Sequence, residues 1–79
     1  MATVRYFAAA AEAAATNGDL LDTTTIGDLR AQLRARYGAE FDHILARCSL
    51  LVNGTRAADD AVALTAGDTV DILPPFAGG

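Results

Sequence analysis

Alternation opens the chain. In Thr3-Val4-Arg5-Tyr6-Phe7, polar and apolar positions take turns from Thr3 to Tyr6, the period of a half-buried strand with Val4 and Tyr6 on its inner face. Ala8 to Ala15 is an alanine run broken by Glu12. Alanine's helix propensity predicts a short helix there, ended by the turn residues Thr16-Asn17-Gly18-Asp19. Leu20 to Thr24 reads as a second strand. The clearest helix begins at Thr25, whose hydroxyl can cap it while Asp28 complements the positive helix end. Ile26, Leu29, Leu33 and Tyr37 recur at helical spacing within an arc of roughly 80°, so one face packs on a sheet. Arg30, Arg34 and Arg36 lie beside or opposite that stripe, as a solvated helix face would have them. Gly38 closes the helix, and Phe41, Ile44 and Leu45 predict a short further helical turn against the same core.

The second half returns to strands. Cys48-Ser49-Leu50-Leu51-Val52 runs into Asn53-Gly54, a strong hairpin signal, with Thr55-Arg56 starting the return. Asp59-Asp60 and Ala66-Gly67-Asp68 mark turns around Val62 and Leu64, and Thr69-Val70-Asp71-Ile72-Leu73 alternates as a last strand. Two strands, a long helix and further strands predict an α+β domain of β-grasp type, one twisted sheet of about five strands with a helix across one face. Strand parity then places Phe7, Leu51 and Leu73 on the open face, opposite Tyr6, Leu50 and Ile72.

Length and composition narrow the class. Seventy-nine residues allow one domain, and much of the 52% hydrophobic content is alanine, so the core rests on few large side chains. A single cysteine, Cys48, excludes an internal disulfide and fits a reducing cytoplasm, the expected location. Met1-Ala2-Thr3-Val4-Arg5 does not read as a basic region followed by the apolar region of a signal peptide, and no apolar run reaches the roughly 20 residues of a membrane span. Ten acids against six arginines, net charge −4, argue against nucleic-acid partners. No lysine is present, so this chain cannot accept an isopeptide bond at a lysine.

After Leu73 come Pro74-Pro75-Phe76-Ala77-Gly78-Gly79. Consecutive prolines cannot donate to a ladder and favour an extended conformation, so the domain should span residues 1–73 and a tail, 74–79, should project from it. Glycines without Cβ permit close approach inside a narrow cleft. Such a tip suits threading the Gly79 carboxylate into another protein's active site. Elsewhere chemistry is sparse. Cys48, among apolar residues, reads as a small buried hydrophobe, and His43 has no second ligand at metal-binding spacing. Ser49 and Thr65 have no neighbouring base in sequence.

The sequence resembles the small subunit of molybdopterin synthase, within the ubiquitin-like sulfur carriers. Val4-Arg5-Tyr6-Phe7-Ala8, Leu50-Leu51-Val52-Asn53-Gly54 and the whole run from Leu64 to Gly79 carry the resemblance, most specifically Gly67-Asp68, Pro74-Pro75 and Gly78-Gly79. The alanine run departs from the more varied, partly charged stretch usual there. The resemblance implies strand order 2-1-5-3-4 and a carrier subunit that is no enzyme by itself. It implies that Gly79, with Gly78 beside it, is adenylated by a ubiquitin-activating-like adenylyltransferase. A sulfur donor enzyme then makes the thiocarboxylate, which supplies dithiolene sulfur in the large synthase subunit, in a heterotetramer. ATP would be used by the adenylating partner, with no cofactor or metal held by this chain. Phe7, Leu51, Leu73, Pro74, Pro75, Phe76 and Ala77 would meet the partners. A thiazole-forming carrier of thiamine synthesis, a carrier for cysteine synthesis, a protein modifier and a non-covalent ubiquitin-like module are the alternatives. The length of residues 25 to 47 and Pro74-Pro75 favour the molybdopterin assignment.

Overall fold

The computed structural model describes residues 1–75. Its elements run β1 (Ala2–Tyr6), α1 (Ala9–Ala14), β2 (Gly18–Leu21), α2 (Ile26–Tyr37), α3 (Ala39–Leu45), β3 (Ser49–Val52), β4 (Thr55–Arg56) and β5 (Thr69–Leu73). The five strands form one sheet in the order β2-β1-β5-β3-β4. The central β1–β5 pair is parallel and the other pairs are antiparallel. This is the expected β-grasp arrangement.

One face of the sheet is the core. Val4, Tyr6, Leu50, Val70 and Ile72 point inward and are buried, as alternation requires. Ile26, Leu29 and Leu33 of α2 and Phe41 and Leu45 of α3 cover them, with Ala10 and Ala14 of α1 closing one end. Tyr6, Tyr37 and Phe41 make an aromatic cluster, with ring centroids 5.0 to 6.0 Å apart. Helix α2 starts as its sequence predicts: the Thr25 hydroxyl accepts from the Asp28 amide at 3.0 Å. Its arginines each lie near a carboxylate: Arg30 near Asp60, Arg34 near Asp42 and Arg36 near Asp19.

Strand β2 and the start of β3 differ from the sequence reading. Strand β2 starts at Gly18 and ends at Leu21, because Gly18 and Asp19 pair with Arg5 and Val4 instead of completing the turn. Thr25, beyond it, bridges to Ala63. Cys48 precedes β3, its amide bonded to the Leu45 carbonyl at 3.0 Å in the turn that leaves α3.

The β3–β4 hairpin turns at Asn53 and Gly54, both at positive φ (50° and 87°), the conformation a two-residue hairpin requires. The Asn53 side chain accepts from the Thr69 amide at 2.9 Å and donates to Asp68 at 3.0 Å. That clamp fixes the entry to β5, the strand that carries the tail.

Candidate functional site

The exit of β5 defines the site. Its pairing to β3 runs as far as Leu73 opposite Ser49, and Phe7 donates its amide to the Ile72 carbonyl at 3.3 Å from the other side. Pro74, which has no N–H, then ends the ladder. The chain leaves the sheet centre with the parallel strand on one flank and the hairpin on the other. Pro74 is half-buried and Pro75 exposed.

Around this root lies a groove of about 600 Å³. Phe7, Leu51, Leu73, Pro74 and Pro75 line it, so five of the residues singled out from the sequence come together. Phe7 is 39% exposed, while Leu51 and Leu73 are half-buried against their neighbours. Ala8, Ala9, Ser49 and Arg56 also line the groove. Two of these were readable in principle. Ser49 shares the parity of Leu51, and a two-residue turn at Asn53-Gly54 sets Arg56 opposite Leu51 on the same face. Ala8 was not readable: it leaves β1 at φ 50°, ψ −125°, a conformation no alanine signals in sequence. The remaining predicted residues, Phe76, Ala77, Gly78 and Gly79, lie outside the described residues.

Beside the groove the open face is braced by charge. Arg5 of β1 and Asp71 of β5 are register partners and make a two-point ion pair at 2.6 and 2.8 Å. The Arg5 guanidinium also lies 5.8 Å from the Phe7 ring centroid, within cation–π range. Asp71 therefore holds Arg5 where it can lie over Phe7.

Other candidates stand apart from this place. The Cys48 thiol donates to the Ile44 carbonyl at 3.1 Å, and burial pushes its pKa up against the opposing charge of Arg30, which disfavours the thiolate. His43 is exposed on α3, and no group of three or more potential metal ligands occurs among the described residues. No helix among them is long and apolar enough to cross a membrane.

The five-stranded order with helices on one face and the last strand leaving from the sheet centre define a ubiquitin-like β-grasp carrier domain. Residues 4–79 match the ThiS family, and the chain belongs to that family of small ubiquitin-like sulfur carriers and modifiers. It is similar to SAMP1, small archaeal modifier protein 1, of Haloferax volcanii, at 27% identity and TM-score 0.83 over 99% of this chain and 98% of that one. A chain from the complex of subunits 1 and 2 of molybdopterin-converting factor from Helicobacter pylori matches at 23% identity and TM-score 0.76, covering 99% and 97%. One from the Amycolatopsis orientalis BexX/CysO complex matches at 17% identity and TM-score 0.83 over 100% of both chains. The last two share the fold. No curated protein sequence gives a significant match.

Proposed function

We propose that this chain is the sulfur-carrying small subunit of a molybdopterin synthase and that the Gly79 carboxylate is its working group. The observation that carries the reading is the root of the tail: Pro74-Pro75 leaves the sheet centre beside the Phe7–Leu51–Leu73 groove, in a chain whose family match runs through Gly79. The body would be gripped at the groove while the tail enters a partner's cleft. The Gly78-Gly79 ending and the likeness of the Leu64 to Gly79 run to molybdopterin synthase small subunits support the pathway.

The chemistry follows from what a carboxylate lacks. Its delocalised charge makes it a poor electrophile. A carboxylate oxygen of Gly79 attacks the α-phosphorus of ATP in the adenylating partner, forming the acyl-adenylate and expelling pyrophosphate. A sulfide-equivalent donor then attacks the acyl carbon, the bond to the bridging oxygen breaks, and AMP leaves with that oxygen. The thiocarboxylate stays anionic at neutral pH and carries its sulfur to the large synthase subunit. This chain contributes the terminal carboxylate, a stiff stem and a docking surface.

Incubation with ATP, the adenylating enzyme of the same organism and a sulfide donor should give the mass gain of one oxygen exchanged for sulfur, read on the intact protein. Removing Gly79, or adding one residue after it, should abolish the gain and leave the fold intact. Normal loading of the extended chain would overturn the assignment to Gly79. Loaded chain should then sustain molybdopterin synthesis with the large subunit. A second reading, conjugation of Gly79 to target lysines, is favoured by the 27% identity to SAMP1. Gly79-linked lysine remnants in digested cell protein would select it.

A further inference from the structure

Acids outnumber arginines ten to six, so most arginines have a carboxylate to hand. Four of them use one: Arg5 with Asp71, Arg30 with Asp60, Arg34 with Asp42 and Arg36 with Asp19. Arg47 and Arg56 have no such partner among the described residues. These two are also the arginines at the root of the tail. Arg56 lines the open-face groove with Leu73, Pro74 and Pro75. Arg47 lines a smaller groove on the helical side, with Ile44, Ala9 and the same two prolines. Among the described residues, no acidic side chain lines either groove. The nearest carboxylate on the open face, Asp71 beside Leu51, is already paired with Arg5, so two cations without an ion-pair partner among the described residues flank the root of the tail.

We propose that Arg47 and Arg56 straddle the tail as a charge clamp, and that the protein receiving the tail presents carboxylates on both sides of its entry cleft. The inference rests on the carrier reading above and adds the chemistry of the partner's rim. Ion pairs formed beside apolar groove walls, as the cleft closes and water leaves, are stronger than the same pairs in open solvent. Two of them on opposite sides of a proline-stiffened stem would also fix the angle at which the tail enters. A nucleotide fits the pair less well. Gly79 is the fourth residue after Pro75, up to about 14 Å away in an extended chain, so a tail threaded into a cleft carries an adenylate away from arginines at its root.

The test uses the full chain and the adenylating enzyme of the same organism. Binding is measured by calorimetry at low and high salt, with sulfur loading read by intact mass. Arg47→Glu with Arg56→Glu should weaken binding roughly tenfold or more and flatten its salt dependence. Arg34→Glu, a reversal at an exposed arginine on α2 away from both grooves, should leave binding near the wild-type value. Circular dichroism confirms that each variant folds, and single reversals apportion the effect between the two sides. Unchanged affinity of the folded double variant, with the wild type loading normally, would overturn the clamp while leaving the carrier reading in place. A raised KM for ATP at unchanged carrier affinity would assign the arginines to the nucleotide and overturn it as well. If the wild type binds the enzyme yet gains no sulfur, the carrier reading fails, and the salt dependence of that binding still decides the clamp.

Discussion

Asp19 stands opposite Val4 in the β1–β2 pairing, so its side chain turns inward between sheet and helices. Its carboxylate accepts from the Tyr6 hydroxyl at 2.7 Å and from the Tyr37 hydroxyl, and faces Arg36 at 3.0 Å. Burial opposes ionisation of Asp19, but the bonds from Tyr37 and Tyr6 and the charge of Arg36 outweigh it and lower its pKa. Burial, and then the same carboxylate, raises both tyrosines. The signs set a window. A lowered Asp19 contributes stability that is present above its unfolded pKa of about 4 and lost as pH falls through the folded value. Raised tyrosines contribute stability that is present below about pH 10 and lost as pH climbs above it. Urea unfolding across pH should therefore decline at both ends. Asp19→Asn should cost about 1–3 kcal/mol at neutral pH and shrink the acid decline. Asp28 and Asp68, also lowered by hydrogen bonds, keep part of that decline. An acid limb of unchanged depth in the variant would move its origin to other carboxylates. Cys48 makes the opposite case: with a protonated thiol bound to a carbonyl, Cys48→Ala should retain full sulfur loading and cost about 1 kcal/mol of packing. Lost loading in a folded protein would put sulfur chemistry on the thiol.

At the scale of elements, the sheet tolerates little at Gly18. A Cβ there would sit 2.7 Å from the Val4 carbonyl oxygen, so β2 approaches β1 only because the side chain is missing. Gly18→Ala should destabilise by roughly 1–3 kcal/mol in urea, with a neutral result showing that the two strands can part without loss. Helix α1 ends less comfortably. Ala15 takes the left-handed conformation, φ 57° and ψ 28°, at a position where glycine is the usual residue. Ala15→Gly should raise stability by about 0.5–1 kcal/mol, and a destabilised variant would mean that the unfolded chain's added freedom dominates. These two places also mark where the sequence ceased to be readable. Gly18 reads as a turn residue until its cross-strand neighbour is known. The alanine run predicts helix throughout, with nothing to announce the positive-φ bends at Ala8 and Ala15. Strong local signals fared better: the Thr25 cap, the Asn53-Gly54 hairpin and the alternation of β5 are each set by contacts within a few residues. The inward turn of Asp19 needed long-range pairing, as did the placement of Arg47, whereas the hairpin turn alone sets Arg56 opposite Leu51.

For the whole molecule, strand parity and strand order together bring the groove into view. Inward Tyr6, Leu50 and Ile72 leave Phe7, Leu51 and Leu73 on the other face, and the strand order sets their strands side by side at the foot of the tail. The order itself came from family resemblance, because no local pattern states that a fifth strand inserts between the first and third. Leu51 is the best probe of this surface. It is half-buried at the groove wall, across from Asp71 on β5 and Arg56 on β4, and does not belong to the buried core. Leu51→Asp therefore removes apolar contact area with little damage to packing inside. It also sets a carboxylate next to Asp71 and leaves Arg56 a new internal partner. If the groove grips both the adenylating enzyme and the large synthase subunit, each affinity should fall by roughly 1–3 kcal/mol, the value of a central apolar contact. Leu51→Ala separates the causes: it loses contact area without adding charge, so it should weaken both complexes by a smaller amount and leave their salt dependence as in the wild type. Circular dichroism and urea midpoints establish that both variants are folded before titration. Unchanged affinity for both partners in folded Leu51→Asp would show that the tail is delivered from another face, and a loss confined to one partner would show that the two enzymes read different parts of the domain.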